Sequence, residues 1–303
     1  MIRLLALLVL LCAPLAARAL PGRLESYPMM ASAFVAPRNV SVWLPDGYDG
    51  DRHRYAVLYM HDERNLFAEK NGLGGPSWGV AEALTRLIAA GKVRRTIVVG
   101  IDNTPLRSRE YLPAGVVAAL PAAERAALTA GLGGAPLSDA YLKFIVREVK
   151  PFVDARYRTD PRRSATFVIG SSMGGLISLD ALINYPRVFG GAGCLSTHWP
   201  LPLFGADGQT PMLAFEPVAA AFEAYLAAGV PPRGHQRVWF DHGDQHLDRF
   251  YAPYQARVDA ALAARRWRQP HDFVSRAYPG ASHNETSWRA RLDDPLLYLL
   301  APR

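Results

Sequence analysis

The chain has 303 residues, half of them hydrophobic, and a formal net charge of +7, enough length to bury a sizeable core. Its basic pairs, Arg162-Arg163 and Arg265-Arg266, are short and lack interleaved aromatics, which excludes a nucleic-acid-binding stripe. Two cysteines, Cys12 and Cys194, are too few for a disulfide framework.

The N-terminus carries Arg3, an apolar run from Leu4 to Ala16, and Ala17-Arg18-Ala19. This pattern predicts a secretory signal peptide over 1–19, cut after Ala19, and a periplasmic or secreted location. Leu11 stands before Cys12 where a lipidation site needs a small residue, so no lipid anchor is expected. The uncharged stretch Val188–Ala206 is interrupted by Gly, Pro and His198, so no stable membrane insertion is expected after signal removal. Residues 20–303 are expected to form a single domain.

Extended segments recur at Met29–Ala36, Val40–Leu44, Tyr55–Met60, Thr96–Ile101, Thr166–Ile169, Gly193–Ser196, Arg237–Phe240 and Asp272–Tyr278. Helical patterns lie at Val80–Ala90, Ala140–Ala155, Gly174–Tyr185, Val218–Leu226, Arg249–Arg265 and Glu285–Leu292, with Pro295 expected to stop the last. Short buried-type strands alternating with helices predict an α/β fold, a mostly parallel sheet covered on both faces. The first two strands are expected to form an antiparallel edge. The Ala-, Gly- and Leu-rich stretch 113–136 follows a strand's carboxyl end and is read as a cap bordering a substrate cleft.

The segment Gly170-Ser171-Ser172-Met173-Gly174 is G-x-S-x-G between a β-branched strand and an apolar helix. A turn that sharp holds the Ser172 hydroxyl exposed at the sheet's carboxyl edge, beside a helix N-terminus. A serine nucleophile needs a base, and in this motif's usual chain order the base follows the last strand. His283 fits, in Tyr278-Pro279-Gly280-Ala281-Ser282-His283. The orienting acid belongs in Asp241-His242-Gly243-Asp244-Gln245-His246-Leu247-Asp248: Asp248 is the first choice and Asp244 the alternative. Oxyanion donors are expected from the backbone N–H groups of Met173 and Arg64. The Arg64 side chain either pairs with Glu63 or meets an anionic substrate. His242 and His246 lack an obvious third ligand, so no metal is expected.

Tyr59-Met60-His61-Asp62 with Phe67, Trp78, Val99–Asn103, Arg107–Pro113, Gly170–Gly175 and Gly280–Trp288 together resemble the Putative esterase family. That family includes esterase D, enterochelin esterase, feruloyl esterases and mycobacterial mycolyltransferases, and the resemblance runs from about Val40 to the end. It implies an α/β-hydrolase fold with a sheet of about eight strands, and acyl-ester chemistry without metal or organic cofactor. It supports Ser172, His283 and Met173 in the roles given above. The chain departs from the family at two points: His246 stands where Gly-x-x-Asp/Glu places the acid, and Glu63 replaces a glycine. Cys194–Pro200 is similar to bacterial members near the enterochelin esterase branch; its His198 and Trp199 follow a strand's carboxyl end and are read either as lining the substrate cleft or as a packed loop. Trp78 and Arg107 are the other substrate-binding candidates. Arg107 and Glu110 match the family's Arg-x-x-Glu-Tyr and are expected to pair and fix Tyr111. The expected function is a serine carboxylic-ester hydrolase acting on a small-molecule ester, such as a siderophore, aryl or acyl ester. Alternatives are an acyltransferase and an inactive binding protein of the same fold.

Overall fold

A computed structural model describes residues 20–50, 52–67, 75–208, 210–233 and 236–302. The expected signal peptide, 1–19, lies outside them. Eight strands form one sheet: β1 (Arg23–Met30), β2 (Arg38–Leu44), β3 (Ala56–His61), β4 (Thr96–Ile101), β5 (Thr166–Ser171), β6 (Gly191–Leu195), β7 (Arg237–His242) and β8 (Phe273–Ala277). Their order is β1-β2-β4-β3-β5-β6-β7-β8. The β1–β2 and β2–β4 pairs are antiparallel and the rest parallel. The α/β-hydrolase architecture is therefore present, with its antiparallel edge.

Residue alternation along the strands divides the core. Val57 and Tyr59 enter one cluster, Leu58 and Met60 the other, and all four are buried. The first cluster is covered by helices Met173–Asn184, Phe215–Gly229 and Tyr251–Ala264 and by the helical stretch 138–156. The second is covered by Val80–Ala89, Glu285–Arg291 and Asp293–Leu300. Burial on both faces is why the inner strands read as continuous apolar runs.

Two expectations need correction. The first strand is Arg23–Met30, not Met29–Ala36. Ser32 instead turns the chain, its Oγ accepting from the N–H groups of Phe34 and Val35, while both apolar side chains pack on the core. Pro28 is tolerated because β1 is an edge strand. Pro295 stops nothing: it sits in the first turn of Asp293–Leu300, where its missing N–H is harmless. The stretch 113–136 forms helices Ala114–Ala119 and Ala122–Gly131, whose Val116, Val117 and Leu128 pack into the first core cluster.

Candidate active site

Strand β5 ends at Ser171 and a helix begins at Met173, so Ser172 alone makes the turn, with φ 57° and ψ −124°. Such a backbone costs about 1–3 kcal/mol and persists only where its surroundings enforce it. Here the Ser172 N–H donates to the Leu195 carbonyl at 2.9 Å, and its own carbonyl accepts from Gly175 and His198. Gly170 is required by the close return of the chain: a Cβ there would lie 2.7 Å from the Gly174 carbonyl oxygen.

His283 follows β8 and precedes helix Glu285–Arg291, whose cap Asn284 accepts from the Ser287 N–H at 2.9 Å. The His283 Nδ1 lies 2.6 Å from Asp248 Oδ1. An ionised carboxylate only accepts, so Nδ1 carries the proton. Asp248 is fully buried, and its Oδ2 accepts from Ser196 Oγ and the Gly243 N–H, each at 2.6 Å. Burial pushes this carboxyl up, but the His283 bond and charge, with the Ser196 and Gly243 donors, outweigh it and hold Asp248 below the ordinary value. Asp244 is exposed and accepts from the Gly280 N–H at 2.8 Å, fixing the two loops to each other. Asp241 instead faces Arg291 and the Trp239 Nε1–H. The spacing that departs from the family is absorbed at His246: its φ of 54° and the 3-10 turn His246–Phe250 bring Asp248 back to the imidazole.

Ser172 and His283 border one cavity of about 410 Å³. The imidazole and hydroxyl make no direct hydrogen bond among the described residues, a gap that such pairs commonly close around substrate. Asp62, Arg64, Arg107 and Glu285 supply charge to the same cavity, and Asn65 and Asn103 supply amides. Asp62 takes a left-handed conformation, φ 59°, so the turn after β3 does not need a glycine at Glu63. Among the described residues, neither the Met173 nor the Arg64 backbone N–H has an acceptor. Of these two residues Arg64 lines the cavity.

Several expected contacts resolve differently. Arg64 pairs with Asp102 at 2.8 Å, while Glu63 accepts from Ser41 Oγ. Arg107 lines the cavity but pairs with Asp62 at 2.7 Å, and Glu110 is taken by buried Arg38 at 2.6 Å. The Arg107 guanidinium does lie over the Tyr111 ring. Trp78, Trp199 and His198 are 1–3% exposed and do not line the cavity. Trp78 packs on Trp288, and Trp199 sits between Phe222 and Phe240 with its Nε1–H on Gln255. His198 is held by Tyr251 and the Leu201 carbonyl; burial, with neighbouring His283, pushes it down to about 3. These rings are the packing beneath the site. Nor does 113–136 contribute a lining residue. Among the described residues no three His, Cys, Asp or Glu side chains converge as metal ligands.

Sequence reasoning passed over Ser196, Arg291 and Glu285. Only Glu285, two residues after His283, carried a local signal.

The chain is similar to protein YbbA of Bacillus subtilis, 26% identical over 163 residues, covering 54% of this chain and 58% of YbbA. It is also similar to B. subtilis YjcH, 25% identical over 151 residues, covering 49% and 51%. The matches thus span about half the length of these curated relatives. Among solved structures, an IroE-like serine hydrolase from Shewanella oneidensis has a TM-score of 0.66 at 18% identity, covering 92% of this chain and 80% of that one. A ferulic acid esterase gives 0.63 at 18%, covering 92% and 98%. The enterobactin esterase FES of Shigella flexneri gives 0.60 at 21%, covering 93% and 60%. At these identities the likeness is one of fold. The family model described as Putative esterase matches residues 31–299, and the chain belongs to that family.

Proposed function

We propose that the protein is a serine carboxylic-ester hydrolase. Ser172 Oγ attacks the ester carbonyl carbon as its proton passes to His283 Nε2. The backbone N–H groups of Met173 and Arg64 hold the resulting oxyanion, and Asp248 stabilises the imidazolium. The proton then goes to the departing alkoxide, leaving an acyl-enzyme. Water, deprotonated by the same imidazole, releases the acid. One observation carries this reading: the His283 Nδ1–H is given to buried Asp248 while the same ring and the strained Ser172 border one cavity.

The charged and amide lining supports a small ester bearing polar groups, and supports water rather than an apolar alcohol as acceptor. Solved relatives are named as esterases of ferulic acid and of enterobactin, which makes feruloyl, aryl and catechol esters the first substrates to try. The test is a fluorophosphonate probe together with that ester panel, on wild type and Ser172→Ala. Labelling and turnover that both vanish in the variant are expected. Absence of wild-type labelling would turn the reading toward a binding protein, and ester products formed with an added alcohol would turn it toward acyl transfer.

A further inference from the structure

We propose that Ser196 is a positioning residue for the acid, keeping Asp248 on His283 and off Arg291. The proposal rests on the roles given above to Ser172, His283 and Asp248.

The Ser196 hydroxyl is buried and has three polar neighbours. Trp288 Nε1 lies at 2.9 Å, Arg291 Nη2 at 2.7 Å and Asp248 Oδ2 at 2.6 Å. Indole and guanidinium nitrogens only donate, and a carboxylate only accepts. The single hydroxyl proton is therefore directed at Asp248, and both oxygen lone pairs are occupied. No other orientation of this hydroxyl satisfies all three partners.

Arg291 is the cation between two buried carboxylates, 2.9 Å from Asp241 and 4.0 Å from Asp248 Oδ2. Its Nε–H is held on Asp241 at 3.0 Å. Ser196 stands between the guanidinium and Asp248, accepting from one and donating to the other, so the two charges sit 4.0 Å apart without a direct hydrogen bond. The backbone keeps it there, with φ 41° and its N–H on the Asp241 carbonyl at 2.8 Å. Without the hydroxyl, Asp248 Oδ2 keeps only the Gly243 donor, and the charge 4.0 Å away draws the carboxylate off the imidazole. The groups in contact with His283 are Asp248, His198, Tyr251 and Trp288, and Asp62, Arg64, Arg107 and Glu285 line the cavity it borders. Of these only Asp248 is bonded to Ser196 through its carboxylate.

The test measures the second-order rate of fluorophosphonate labelling at Ser172 and the low-field proton spectrum of the free protein, in wild type, Ser196→Ala and Ser196→Gly. Glycine removes the hydroxyl and suits the positive φ. We expect labelling slowed roughly a hundredfold by misplacement of the base. The low-field proton resonance of the Nδ1–H···Asp248 bond should disappear. A wild-type labelling rate with the low-field resonance intact in a folded variant would overturn the proposal. Misfolding of both variants would also overturn it, because the hydroxyl would then serve the fold. Failure of wild type to label would instead remove the underlying functional reading.

Discussion

Replacing Asp248 by Asn tests which carboxylate orients the base. In the native site Oδ2 accepts two hydrogen bonds and Oδ1 accepts one from His283. An amide presents one oxygen and one N–H₂, and Ser196 and Gly243 together claim the oxygen. The N–H₂ is then turned on His283 Nδ1, which must accept instead of donate. That moves the ring proton to Nε2, where it blocks transfer from Ser172. A wrong tautomer of this kind lowers turnover about 10⁴-fold, or about 5.5 kcal/mol of barrier. Asp244→Asn keeps an acceptor for the Gly280 N–H at an exposed position, so its turnover should stay within about twofold of wild type. Both variants would be assayed for kcat on an activated aryl ester, with circular dichroism to verify folding. A larger loss in Asp244→Asn would refute the assignment. A loss under tenfold in Asp248→Asn would mean that serine and histidine work as a dyad.

Ser172→Gly should abolish turnover yet stabilise the fold by about 1 kcal/mol in urea titration, because glycine adopts the strained turn freely. Glu110→Gln leaves Arg38 buried without its counter-charge and should cost about 3–5 kcal/mol in the same titration. Burial raises Asp180 to about 7, offset in part by Tyr225 and other donors. A folded-state value above the unfolded one means stability present at low pH and lost as pH rises through about 7. Thermal melts of wild type should therefore fall between pH 4 and 8 relative to Asp180→Asn, and parallel curves would refute this. Export with cleavage after Ala19 predicts that N-terminal sequencing of the protein recovered outside the cytoplasm begins at Leu20.

The parts legible from sequence are those with local causes. G-x-S-x-G needs only a strand, a turn and a helix contiguous in the chain, and His283 is placed by chain order. The acid narrowed only to Asp248 or Asp244, because the turn at His246 resets the spacing and no pattern marks a non-glycine residue at φ 54°. Arg107 and Glu110 looked like partners at close spacing, yet each is taken by a residue 45 or 72 positions away. His198 and Trp199 follow β6 and Trp78 precedes a helix, but side-chain direction decides between lining a cavity and filling the layer beneath it. The Ser196–Arg291–Asp241 set joins β6, β7 and the helix after His283. Only tertiary structure brings those residues together.

A Cβ at Gly243 would come within 2.0 Å of the Ala281 carbonyl oxygen, and that oxygen also accepts from Asp244 and Gln245. The segments bearing acid and base are thereby clasped main chain to main chain, and they inherit each other's displacements. Chimeras that import one of these segments from a homologue should lose activity unless its counterpart travels with it.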